Sequence, residues 1–210
     1  MRIHWHFTRR VPEPTWEGAV LTSASPSYLS IGTTVVEALE KATGTTLCAV
    51  VPDGEVVPAD VGRRCTRLRV LARADVGAAL ESFARRCALD VVSLWTAPAT
   101  VVRYLDNGDP SLLEEAVEAI EARDAPESRS GASEAAFASA VSALSHRAPR
   151  DAFLEACEAR LCGRVEGEPP REVMDRVRSM AERRLVSLVT LTTGRSLRDE
   201  ARRELAGIHA

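Results

Sequence analysis

Ser23-Ala24-Ser25-Pro26-Ser27-Tyr28-Leu29-Ser30-Ile31-Gly32-Thr33-Thr34 is the stretch on which the reading of the fold turns. It joins a candidate strand, Gly18 to Ser23, to a candidate helix, Thr33 to Thr43. In that helix Val35, Val36, Leu39 and Ala42 share one side, and Gly44 is placed to end it. A bridge of hydroxyls and glycine from β- to α-structure makes the front of the chain a sheet with helices, an α/β or α+β fold.

Outward from the bridge the same mixture continues. Ile3, Trp5 and Phe7 alternate with His4 and His6, the two-residue period of a half-buried strand. The two histidines are expected on the exposed face of an edge strand. Thr46–Val51 reads as a strand, and Pro52-Asp53-Gly54 before Val56-Val57 reads as a hairpin turn. Thr66–Ala72 sets Leu68 and Val70 against Arg67 and Arg69. Asp75 then caps a helix reaching Cys87. Leu89–Trp95 is the most apolar run and is expected as a central strand, with Thr96 capping a short helix after it. Strand-helix-strand alternation implies some parallel pairs and the hairpin an antiparallel one, so the expected sheet is mixed.

The punctuation Asp106-Asn107-Gly108-Asp109-Pro110 divides the chain into a mixed-sheet unit, 1–107, and an Ala-rich helical unit, 108–210. Residues 124–133, rich in Ser, Gly and charge, are the expected linker. Helices are expected to about Arg123, over Glu134–Ser145 and Pro149–Cys162, and from Pro170 onward. The β-branched run Leu185–Leu191 is read as helix because it continues the stripe of Val173, Val177 and Met180. Ser196 and Asp199 form a capping box for a last helix.

Composition narrows the class of protein. Of 210 residues 45% are hydrophobic, enough to offset the entropy of ordering a core, so disorder is excluded. The 27 basic and 30 acidic side chains leave a formal charge of −3, which gives no broad pull toward nucleic acid or anionic lipid. Lys41 is the lone lysine, so the arginines reflect a compositional bias. The start, Met1 to Arg10, interrupts every apolar residue and does not read as a secretory signal. No window resembles a membrane span. Cys48, Cys65, Cys87, Cys157 and Cys162 are scattered and odd in number, which argues against a disulfide framework and for a cytoplasmic location.

Four constellations could carry chemistry. Ser27, Ser30, Thr33 and Thr34 stand where the unpaired N–H groups of a first helical turn attract anions, and so are the candidate contacts for a phosphate- or carboxylate-bearing ligand. Gly-x-Gly-x-x-Gly and Gly-x4-Gly-Lys-Ser/Thr are both absent, and the same hydroxyls serve as ordinary caps. Arg67 and Arg69 share a strand face and are the candidate contacts for nucleic acid or an acidic partner, but no aromatic residue interleaves them. His4 and His6 could begin a zinc site, yet nothing selects two further ligands, so no metal is expected. Asp53, Glu55 and Asp60 lack the nearby lysine a metal-dependent nuclease of their spacing requires.

No nucleophile motif occurs. The sequence therefore points to a cytoplasmic protein-interaction or regulatory protein without catalysis of its own, needing no cofactor. Its expected partner is another protein or a second copy of itself, with no membrane and no nucleic acid. The alternatives are an enzyme or binding protein for a small anionic ligand held at the Ser23–Thr34 loop, and nucleic-acid binding through Arg67 and Arg69.

Overall fold

A computed structural model describes residues 2–9, 20–22, 29–59, 62–122, 131–145, 148–164 and 168–208. Among the described residues there are seven strands: β1 (His4–Thr8), β2 (Val20–Thr22), β3 (Leu29–Ile31), β4 (Thr46–Pro52), β5 (Val56–Pro58), β6 (Arg63–Cys65) and β7 (Arg67–Asp75). The helices are α1 (Val35–Leu39), α2 (Gly77–Leu89), α3 (Ala99–Asn107), α4 (Leu113–Glu121), α5 (Gly131–Leu144), α6 (Pro149–Cys162), α7 (Pro170–Thr193) and α8 (Leu197–Ile208). The fold is α+β. Contacts divide it into two compact units, 1–79 with 182–210 and 80–181, the divisions falling inside α2 and α7.

The first unit holds two sheets, ordered β1-β4-β7-β2 and β3-β6-β5. Every described strand pair is antiparallel, which corrects the expectation of a mixed sheet. A parallel neighbour needs a crossover of a dozen or more residues, usually a helix. The helix between β3 and β4 is only five residues long and bridges no parallel pair. The expected Pro52-Asp53-Gly54 hairpin is also corrected. Pro52 instead pairs with Leu68, the Asp53 amide donates to the Arg67 carbonyl at 3.0 Å, and the chain leaves for the second sheet, where β5 pairs with β6.

The sheets bury a shared apolar cluster: Leu21, Cys48, Val50 and Leu68 from the first, Ile31 and Cys65 from the second. Leu68 is wholly enclosed, so its truncation to alanine costs about 2–5 kcal/mol. A register shift between Ala49 and Val50 leaves Leu71 as an extra residue on β7, which lets Leu68 and Leu71–Ala72 all be buried. α8 packs on β7 and β4, burying Leu197 and Ala201. Arg198 lies over the Trp5 ring at 5.6 Å, and Arg195 donates to the Arg73 carbonyl at 2.7 Å.

Several element boundaries differ from expectation. Thr34 is extended and caps α1, so the helix begins at Val35 and not Thr33, and it ends before Glu40. Gly44 does not end it. A Cβ there would stand 2.5 Å from the Thr8 carbonyl oxygen, so the glycine permits close passage beside β1. Leu89–Trp95 is not a strand. The residues buried are Phe83, Ala84, Cys87, Ala88 and Val91, a helical spacing that carries through α2 into a 3-10 turn at Val92–Leu94. The N-cap position of α3 is Pro98 and not Thr96.

The second unit is held by aromatic and small-residue packing. Phe83 meets Phe153 at 5.8 Å, and Trp95 meets Phe137 edge-on at 5.2 Å. Ala136, Ala140 and Ala143 of α5 and Ala152, Ala156 and Ala159 of α6 are buried, and the Ser139 hydroxyl donates to the Ala152 carbonyl at 2.7 Å. Gly108, at φ 69°, closes α3, and Asp109 accepts from the Ser111 amide as the sequence implied. Of the expected linker, 124–130 lies outside the described residues, whereas Gly131 to Ser133 belong to α5. Leu185–Leu191 is helical within α7. The Thr190, Thr192 and Thr193 hydroxyls donate to backbone carbonyls one turn back, which absorbs their polarity.

Candidate functional site

The amino end of α1 is where the sequence placed its ligand, and the structure places its residues unevenly. Ser30 lies in β3, paired with Arg64; Thr33 and Thr34 form the approach to the helix; Ser27 lies outside the described residues. Gly32 joins this corner to the first sheet, its backbone exchanging two 2.9 Å hydrogen bonds with Trp5. A Cβ on Gly32 would fall 2.5 Å from the Ala38 nitrogen and 2.7 Å from the Thr34 oxygen, so only glycine fits.

Carboxylates of the same chain occupy the donors of this corner. The Thr34 hydroxyl accepts from the Glu37 amide at 3.1 Å. The Glu37 carboxylate accepts from the Thr33 amide and hydroxyl, both at 2.7 Å. Glu182, from α7, accepts from the Val35 amide at 3.1 Å and the Val36 amide at 2.9 Å. The first-turn N–H groups that would attract an anion thus hold one already. Thr34-x-x-Glu37 is a capping-box spacing that could have revealed the first carboxylate. Glu182, almost 150 positions away, left no local signal.

Behind Ser30 lies the second feature of the corner. His4 and His6 are not exposed, as expected, but 5% and 7% accessible. They pair in register with Val50 and Cys48, so their rings stand on the face that the second sheet covers. His6 Nδ1 lies 2.8 Å from the Ser30 carbonyl oxygen. A carbonyl only accepts, so Nδ1 carries the proton. His4 Nδ1 is buried without a hydrogen-bond partner. Burial holds both imidazoles below the usual histidine range. Arg63 and Arg2 add to this at His4, while the Gly32 backbone and Glu37 oppose it; the Ser30 carbonyl opposes it at His6. Burial likewise pushes the Cys48 thiol up to about 12.

Arg67 and Arg69 stand opposite Thr22 and Val20 on one side of the sheet. Arg67 Nε donates to the Asp53 carbonyl at 3.0 Å. All five cysteines are free, Cys162 alone being exposed. Among the described residues no group of three or more His, Cys, Asp or Glu could hold a metal ion, and no helix is long and apolar enough to cross a membrane. No family model, curated protein or solved structure matches the chain.

Proposed function

We propose that this is a cytoplasmic protein that acts by binding another protein, with a regulatory or accessory role and no chemistry of its own. The observation that carries the reading is the state of the α1 amino end. Its first-turn amides and the Thr33 and Thr34 hydroxyls are engaged by Glu37 and Glu182, which favours a structural joint over a ligand cradle. The free thiols of all five cysteines favour a reducing compartment. Large apolar side chains left in water favour a protein partner: on α7, Leu191 is 75% exposed and Val186 is also exposed.

The test compares wild type with Leu191→Glu and Val186→Glu. Affinity purification of the tagged full chain from its native host, followed by mass measurement of the intact complex, should give a stoichiometric assembly that either substitution weakens at least tenfold. A partnerless monomer whose melting temperature rises with sugar phosphates or nucleotides, and loses that rise in Ser30→Ala with Thr33→Ala, overturns the reading in favour of the anionic-ligand alternative.

A further inference from the structure

We propose that His4 and His6 form an acid-sensitive latch between the two sheets, and that their protonation separates β3, β5 and β6 from the β1-β4-β7-β2 sheet. The geometry is that of two imidazoles on one strand face, buried under a second sheet of only three short strands. That second sheet is a light cover, with strands of three residues each. Strands so short add few ladder bonds; the two Gly32–Trp5 backbone bonds, the His6–Ser30 bond and the shared cluster of Leu21, Ile31, Cys48, Val50, Cys65 and Leu68 hold the sheets together.

The two histidines respond to a proton differently. His6 already donates from Nδ1 to the Ser30 carbonyl, so a second proton goes to Nε2 and leaves a cation on the inter-sheet face. His4 has a buried Nδ1 with nothing to receive a hydrogen bond, so a proton there creates an unanswered donor as well as a charge.

The surroundings give a cation little relief. Ionisable groups bearing on the pair are Arg2 from its own segment, Arg63 and Cys65 from β6, Cys48 from β4 with Arg73 opposite it on β7, and Glu37 from α1. β3 brings the Ser30 carbonyl to His6, and the Gly32 backbone just after it favours the charged form of His4. The arginines repel an imidazolium, and Glu37, the one carboxylate among these groups, is already bonded to Thr33. The separated state releases both rings to water, where they titrate near 6.5.

The sign follows from that difference. A base held neutral when closed takes up a proton on opening, so closure is complete above about pH 6.5 and weakens as pH falls. A histidine that stays neutral in the closed form raises the open population by up to about thirtyfold between pH 7.5 and 5.0, and two such histidines by up to the square of that factor.

Cys48 and Cys65, buried in the same seam, report the opening, and exposed Cys162 serves as reference. The full chain is treated with 4,4′-dithiodipyridine between pH 7.5 and 5.0, and the labelling of each cysteine is followed by peptide mass spectrometry. The rates of Cys48 and Cys65 relative to Cys162 should rise at least thirtyfold in wild type. The rise should shrink in His4→Gln and in His6→Gln, and vanish in the double variant. A flat ratio in wild type, or an equal rise in the double variant, overturns the proposal. If the variants do not fold, wild type decides through ¹⁵N imidazole shifts. Both rings protonating near pH 6.5 while Cys48 and Cys65 stay unlabelled overturns it too, whereas protonation in step with labelling upholds it.

Discussion

Replacing Glu182 by alanine should loosen α1 by an amount the structure allows to be worked out. The side chain accepts two backbone N–H groups, at 3.1 and 2.9 Å, at a helix of only five residues. A hydrogen bond to a charged group contributes about 1.5–3 kcal/mol, and a carboxylate at a helix amino end a further 0.3–1 kcal/mol or so. Glu182 is only half-buried, so water refills part of what is lost, and the estimate falls to about 2 kcal/mol in all. Two measurements read it. Urea unfolding of Glu182→Ala should show that loss, and the Val35 and Val36 amides should exchange with solvent about thirtyfold faster. The control is Glu204→Ala, an exposed position on α8 with no such role, expected within about 0.5 kcal/mol of wild type. If Glu182→Ala is no worse than this control, or if the two amides keep their protection, the assignment of Glu182 as the cap of α1 is wrong.

Further outcomes follow from the same geometry. Gly32→Ala forces a Cβ to within 2.5–2.7 Å of backbone atoms that cannot rotate away, so thermal unfolding should show a loss of about 1–3 kcal/mol. At pH 8 a thiol reagent should modify Cys162 within minutes and leave Cys48 untouched, because burial holds that thiol near 12; titration with Ellman's reagent checks this. Burial, then the neighbours Glu158, Asp151 and Glu134, raise the Glu155 carboxyl. A carboxyl raised on folding favours the folded state below its unfolded range and loses that contribution as pH rises. Glu155→Gln should therefore raise the melting temperature at pH 7, and the gain should disappear at pH 4.

How much of this was legible in the sequence depended on whether the deciding contact was local. The helices α4 to α8 could be read because each carries its own stripe and punctuation: Asp109-Pro110 before α4, Pro149 opening α6, Ser196 capping α8. Leu185–Leu191 was legible as helix from the periodicity of Val173, Val177 and Met180, although the stripe that is buried runs through Val173, Ala181, Leu185 and Val189 and Met180 is exposed. The same logic extends to Leu89–Trp95, where Phe83, Cys87 and Val91 continue one helical face. Alternation in β1 was correct as a period and wrong as an exposure. A strand covered on both faces by different layers can place histidines inward, and nothing within Ile3–Phe7 announces the second sheet. The pairing of β4 and the excursion of β5 and β6 depend on partners far along the chain, and the turn chemistry at Pro52-Asp53-Gly54 suits a change of sheet as well as a hairpin.

The candidate site divides in the same way. Thr34 as a cap was visible, and Glu37 three residues later was there to be found. The inference that this corner favours an anion was sound chemistry, and the structure supplies the anion from α7. What separates a ligand cradle from a structural joint is then whether the Val35 and Val36 amides are free for an outside group.

That question has a direct measurement. Full-length ¹⁵N-labelled protein is titrated with inorganic phosphate to millimolar concentrations while the amides of Ser30, Thr33, Val35 and Val36 are followed by NMR. With Glu37 and Glu182 in place, these four signals should stay where they are throughout. A saturable shift of the Val35 and Val36 amides would mean that an external anion displaces Glu182, and the corner would have to be read as a binding site after all.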